Sequence, residues 1–247
     1  MYNQAALSLA RNMAYPPADL IGEAPTLTDL FKGVPAETLS GGEAIFWEGD
    51  EARQIFDVLE GVLRIYRIMP DGRRAIMGFI YPGDVLGVSF QDRYLFTAEA
   101  VTDVKVRRIS RGRFFSLVNE SPALRPQLFA LLCDEMSAAQ DQMLLLGRKS
   151  AEERVVSFLL AVQRKWAAHK EIELPMSRLD MADYLGVTIE TVSRTMTSLG
   201  RRGLIHATGR HRVALHKLNT LREIAGRDEE EADAQRAPPM RRAVWPN

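Results

Sequence analysis

At 247 residues and 27.7 kDa, with 46% hydrophobic and 26% charged side chains, the chain has the composition of a soluble globular protein of one large or two ordinary domains. No apolar run approaches the roughly 20 residues of a membrane-crossing helix, Met1 to Leu20 lack the apolar stretch of a secretory signal, and the single cysteine, Cys133, excludes an internal disulfide and a cysteine-held zinc or iron–sulfur site within one chain. The net charge of zero conceals a gradient, with 14 basic and 19 acidic side chains in residues 1–147, 14 and 8 in 148–226, and 4 and 5 from Arg227 onward, so the middle-to-late segment, at +6, is the one suited to a polyanion.

Residues 1–26, with Pro16-Pro17 and Pro25 and little periodicity, read as an extension. From Leu27 the chain alternates short Val-, Ile-, Phe- and Tyr-rich runs with glycines at 49, 61, 72 and 83, the rhythm of a jelly-roll barrel; residues 27–121 are assigned to it. Pro70-Asp71-Gly72 between Val62–Tyr66 and Ala75–Phe79 has the turn chemistry of a hairpin. Beyond Arg111 the period changes to 3.6, and Ser121-Pro122 predicts a helix start with Ser as N-cap and Pro at the first position. The helix of residues 122–147 carries Leu128, Leu132, Met136, Ala139, Met143 and Leu146 at spacings of four and three, a stripe suited to pairing with a second copy of the chain. Cys133 lies on this helix, either as a small buried hydrophobe, the commoner use of a cysteine there, or as a redox-active thiol.

Gly147 interrupts the stripe, and Ser150-Ala151-Glu152-Glu153 opens the next helix with a capping box, which starts a second domain over residues 148–222. A short strand follows at Ile172–Leu174. Ser177 to Asp180 then begin a short helix whose expected inner face is Leu179, Ala182 and Leu185, ending at Gly186. Thr188 caps another helix with Val192 and Met196 inward. Ala182, Gly186 and Val192 have the spacing of a helix-turn-helix: the small residue lets the helices cross, Gly takes the left-handed turn, and the β-branched residue fills the contact below. The second helix exposes Ile189, Glu190, Ser193 and Arg194. Arg194 matches guanine O6 and N7, Glu190 can accept from cytosine N4, and Ser193 is short enough for a base edge or a thymine methyl; a surface pair of Glu190 with Arg194 is compatible with these roles. Arg178, Thr188, Thr191, Arg201, Arg210 and Arg212 are candidate backbone-phosphate contacts, the last two on a basic turn between two strands that form a wing. His206, His211 and His216 are not gathered on one face, so no metal site is expected. Residues 223–247 turn acidic and then Pro-Pro, a tail without core pattern.

An α+β chain with a jelly-roll barrel, a long dimerisation helix and a C-terminal winged helix-turn-helix resembles the Crp/Fnr superfamily of bacterial transcription regulators. The residues that carry the resemblance are Glu48-Gly49-Asp50, Pro82 to Gly87, the run Leu144 to Val155, and Glu190, Ser193 and Arg194; the last two groups are similar to the Fnr and FixK branches. The resemblance implies a homodimeric, cytoplasmic activator that reads a TTGAT…ATCAA type of palindrome in double-stranded DNA with those three residues. It also implies contact with RNA polymerase, through barrel loops or the Lys165 to Lys170 region. Where cyclic-AMP binders carry an Arg followed by Ser or Thr, the region Arg93-Tyr94-Leu95-Phe96-Thr97 offers Tyr94 and Leu95, which argues against cyclic AMP. The N-terminal cysteines of Fnr are missing, so no iron–sulfur cluster of that kind is expected. The remaining resemblance is to FixK-type regulators of microaerobic respiration, nitrogen fixation or nitrogen-oxide metabolism. An effector-gated relative, with haem or another small molecule in the barrel, is the alternative, and an enzyme finds no support: there is no phosphate-binding glycine loop, nucleophile elbow or HExxH.

Overall fold

Residues 25–165, 171–209 and 211–226 are described by the structure, a computed structural model. Eight short strands build two four-stranded antiparallel sheets. One has the order β1 (Glu37–Leu39), β8 (Val104–Ser110), β3 (Gln54–Glu60), β6 (Val85–Leu86), and the other β2 (Ala44–Phe46), β7 (Thr97–Ala100), β4 (Leu63–Ile68), β5 (Arg74–Ile80). The glycine punctuation accounts for the turns: Gly49, Gly61, Gly72 and Gly83 all take positive φ, and Gly72 closes the β4–β5 hairpin. Alternation along the strands sends Phe56, Val58, Ile65, Val104 and Val106 into the space between the sheets. Ile55 and Ile109 face the other way. They are covered by a 3-10 turn at Leu27–Phe31, by α1 (Arg111–Glu120) and by the first half of α2 (Leu124–Arg148), through Phe114, Val118, Leu124, Leu128 and Leu131.

The helix start expected at Ser121 is displaced. Ser121 closes α1 instead, its N–H donating to the Val118 carbonyl, and α2 begins at Leu124 with Pro126 in its first turn, where a missing N–H costs nothing. The separate helix α1 ends where the sequence motif looks like a beginning, because a residue between two helices can serve either one.

Past Arg148 the chain turns into α3 (Ala151–Lys165), whose Ser150 N–H donates to Glu153 Oε2 at 2.6 Å while the Glu153 N–H reaches back to Ser150 Oγ. Next come β9 (Glu171–Glu173), α4 (Arg178–Leu185), α5 (Ile189–Arg201), β10 (Ile205–Ala207), β11 (Arg212–Leu215) and α6 (Leu218–Ala225), with the three short strands in the antiparallel order β10-β11-β9. The last helix runs on to Ala225, past the expected end at 222, because Leu221 and Ala225 are buried in the core of this unit. That core is continuous with the barrel: Tyr66, Ile76, Phe79 and Tyr81 pack with Phe158, Leu159, Met181 and Tyr184, and the rings of Phe79, Phe158 and Tyr184 form a triangle with centroids 5.5–6.1 Å apart. No helix among the described residues is long and apolar enough to cross a membrane.

Candidate DNA-binding site

α4 and α5 form the helix-turn-helix, and local chemistry fixes each end. Ser177 Oγ accepts from the Asp180 N–H at 3.0 Å while Asp180 Oδ2 accepts from the Ser177 N–H and hydroxyl, a complete capping box. Gly186 closes α4 at φ 62, a left-handed conformation that favours glycine. Thr188 Oγ accepts from the Thr191 N–H at 3.2 Å and caps α5. Val192, Met196 and Leu199 are buried. Within α4 the inner face is Met181, Ala182, Tyr184 and Leu185, and Leu179, expected there, is exposed. An eight-residue helix offers too few turns for periodicity to fix its phase, and the barrel sets it instead.

The opposite side of α5 is open. Ile189, Glu190, Ser193 and Arg194 are all exposed on its first two turns, where the positive end of the helix dipole lies. Glu190 is held ionised, its pKa lowered by its own backbone N–H, by the Thr188 hydroxyl and by the nearby Arg194 charge. At neutral pH it is therefore an acceptor only, suited to an exocyclic amine of cytosine or adenine. Arg194 presents a planar fork of donors beside it.

The backbone-contact candidates are placed unevenly. Thr188 is exposed and Thr191 half-buried, their hydroxyls 3.0 Å apart at the helix start; Arg201 is exposed at its other end, and Arg212 is exposed on β11 opposite Glu173. Arg178 is half-buried with Nη1 3.4 Å from the Met181 sulfur, and that burial lowers its pKa. A phosphate contact would require it to swing outward. Arg210 lies outside the described residues, as do residues 166–170 of the anticipated polymerase-facing region. Lys165 is not available there, because its ammonium pairs with Asp84 at 2.7 Å and sits over the Tyr81 ring.

On α2 two stripes separate. Leu124, Leu128 and Leu131 are buried in the chain's own core, and Ala138 is buried further along the helix. Leu128, expected at a dimer seam, is therefore buried in the inner stripe, and its neighbour Phe129 stands exposed on the outer one. Phe129, Met136 and Met143 recur every seven residues at 68%, 59% and 66% exposure, flanked by Leu132, Ala139 and Leu146 in the same register. Cys133 is exposed beside this stripe, which corrects its reading as a buried hydrophobe.

The barrel interior does not fit a cyclic phosphate. A phosphodiester needs a cation or several N–H donors turned inward, and the interior cluster is apolar, with the Phe46 and Tyr94 rings stacked at 3.7 Å. Tyr94 spends its hydroxyl on the Gln54 carbonyl at 2.7 Å, and the neighbouring Arg93 is exposed and donates to the Gly49 carbonyl at 2.6 Å. Among the described residues the buried charged ones are Asp57, Asp84 and Asp180, all acidic.

Two family models match the chain: a cyclic nucleotide-binding domain over residues 36–121 and a Crp-like helix-turn-helix domain over residues 153–224. Over 170 residues the chain is 46% identical to the nitrogen fixation regulation protein FixK of Bradyrhizobium diazoefficiens, covering 67% of this chain and 72% of that protein. It is 45% identical over 167 residues to the transcriptional activatory protein AadR of Rhodopseudomonas palustris, covering 66% and 70%. The chain belongs to the Crp/Fnr family. In three dimensions this Crp/Fnr regulator superposes on FixK2 from Bradyrhizobium japonicum with a TM-score of 0.75 at 36% identity, over 77% of this chain and 96% of that one. Membership makes it a DNA-binding transcription regulator and not an enzyme, with α4 and α5 as its DNA-binding unit. Sequence reasoning did not single out Phe129 or Gln142 and included Arg154 only within the Leu144 to Val155 run; the seven-residue repeat of Phe129, Met136 and Met143 was a signal for the first, while Gln142 Nε2 donates to the Tyr184 carbonyl and Arg154 Nη1 to the Leu185 carbonyl, 42 and 31 residues on, contacts with no local signature.

Proposed function

We propose that the protein is a cytoplasmic, homodimeric transcription activator of the FixK type that reads a TTGAT…ATCAA palindrome. The observation that carries the reading is the open edge of α5: Glu190, Ser193 and Arg194 stand exposed together on a helix whose start is capped from within by Thr188, so its first turns are free to enter a major groove. Arg194 reads the guanine, Glu190 accepts from the base amines and Ser193 makes close edge contact. Thr188, Thr191, Arg201 and Arg212 hold phosphates, with Arg210 and a reoriented Arg178 as further contacts. The outer stripe of α2 pairs two copies, which brings two reading helices to two half-sites. Control of nitrogen fixation genes as an activator is supported by the similarity to FixK and AadR, and microaerobic control and contact with RNA polymerase are part of the same proposal. The apolar barrel interior favours a dimer that needs no cyclic nucleotide.

Fluorescence anisotropy with purified protein and no added ligand tests this at a stated salt concentration. A TTGAT…ATCAA duplex should bind at least about 10³-fold more tightly than unrelated DNA, and replacement of the guanines should abolish most of that preference. Equal binding to all three duplexes would sink the assignment of Glu190, Ser193 and Arg194.

A further inference from the structure

The end of the long helix and the turn of the helix-turn-helix are joined through one guanidinium. Arg154, in the first turn of α3, donates through Nη2 to the Leu146 carbonyl at 2.8 Å and through Nε to the Lys149 carbonyl at 2.9 Å, both at the end of α2. Its Nη1 donates to the Leu185 carbonyl at 2.9 Å and reaches the Gly186 carbonyl at 3.5 Å, at the end of α4. Two helix C-termini, each with unsatisfied carbonyls and the negative end of a dipole, thus converge on one positive charge.

Two further observations show the same junction. Gln142, one turn back on α2, donates through Nε2 to the Tyr184 carbonyl at 2.8 Å. A Cβ at Gly186 would meet Leu146 Cδ2 at 3.2 Å and Arg154 Nη1 at 3.5 Å, so the end of α2 and Arg154 both pack against the turn. Leu146, expected in the dimer seam, is in this way tied to the reading head.

We propose that Arg154 is a positioning residue that fixes the angle between the dimer helix and the reading head, and through it the half-site spacing the dimer accepts. The inference rests on the palindrome reading above. In a two-fold dimer the distance and twist between the two α5 helices are set by how rigidly each head is attached to its own α2. One base pair inserted between half-sites moves the second by about 3.4 Å and turns it by roughly 35°. A rigidly attached head cannot follow that change; a loosened one can. Arg154 touches no base in this scheme and acts only through the carbonyls it gathers.

The test compares the unsubstituted protein with Arg154→Lys and Gln142→Met on three duplexes: the palindrome, the palindrome with one base pair inserted, and a single half-site. Lysine keeps the charge but cannot span both helix ends, and Gln142→Met removes one bond at nearly constant volume. Dimer mass and melting temperature are followed in parallel. The expected result for Arg154→Lys is a loss of spacing preference of about tenfold with half-site affinity kept within about twofold, and a smaller shift in the same direction for Gln142→Met. A general loss of stability would weaken all three duplexes alike and leave the ratio unchanged. If both variants keep the parent's spacing preference, Arg154 does not set it and the inference is overturned. If the unsubstituted protein shows no preference for the palindrome, the operator reading fails and takes this inference with it.

Discussion

Arg194 and Arg201 are exposed arginines seven residues apart on one helix, and the operator reading gives them opposite kinds of contact. A base reader discriminates and a phosphate clamp does not. Arg194→Ala should therefore cost about 1–3 kcal/mol per half-site on the cognate palindrome and nearly nothing on a duplex whose guanine is already replaced. Arg201→Ala should weaken every sequence about equally and flatten the dependence of log affinity on log salt by about one. Anisotropy titrations of both variants over a salt series separate the two, and identical behaviour across operator variants would remove the distinction. These residues were legible because their signals are local: a threonine cap, a left-handed glycine and a small residue at fixed offsets specify the two helices within about 20 positions. Leu179 was misread for the converse reason. Its helix is short, and Phe79 and Arg74 of the barrel decide which side of it is inside.

Helix α2 carries two apolar fronts, one buried and one exposed, and its sequence shows the sum of both patterns. Leucine at 124, 128 and 131 belongs to the chain's own core, while Phe129, Met136 and Met143 stand exposed where the proposed seam would lie. A stripe of apolar residues at spacings of four and three does not reveal where one face ends and the other begins, which is how Leu128 came to stand in for Phe129. Met136→Glu should bring two carboxylates together across the seam and shift the purified protein to monomer mass in light scattering; an unchanged dimer would put the interface elsewhere. Glu135, on the inner stripe, carries a second consequence. Burial raises its pKa from the ordinary 4.5 to about 7. Between those values the folded state binds more protons than the unfolded one, so this group's contribution to stability declines as pH rises from about 4.5 and is fully lost above 7. Glu135→Gln escapes that penalty. It should exceed the parent in stability by on the order of 2–3 kcal/mol at pH 8 and by little at pH 4, in denaturant melts at one protein concentration; a gap that is constant with pH would mean the carboxyl titrates normally.

The winged unit and the barrel are one folded body because polar and apolar contacts between them coincide. Asp180, whose side chain is 4% exposed, caps α4 and at the same time accepts from Arg64 Nη1 at 3.1 Å and Arg74 Nη2 at 2.6 Å. Arg74 Nε donates to Asp183 at 2.9 Å, Arg64 pairs with Glu99, and the Tyr66 hydroxyl donates to Glu99 at 2.8 Å. Nothing in the sequence announces this clasp, since the partners that join the two units lie more than 100 positions apart and each half reads locally as something else: a hairpin arginine, a helix cap. Around it the Phe79, Phe158 and Tyr184 rings exclude water, which strengthens each charge contact and raises the cost of leaving one unmade. Asp180→Ala removes the carboxylate half of the capping box, leaving Ser177 as N-cap, and strips two partly buried guanidiniums of a shared partner, so it should cost about 3–5 kcal/mol, more than the roughly 1 kcal/mol expected for a cap alone. In calorimetry the parent should melt in a single transition, as a shared core requires, and the variant should release the winged unit at a lower temperature than the barrel. Arg74→Met, which removes the charge but keeps the stem, should be milder, because Asp180 retains Arg64 and Ser177. A loss for Asp180→Ala no larger than that of a cap would mean that the cost of dehydrating the clasp cancels its attraction, and that the aromatic triangle alone holds the two units together.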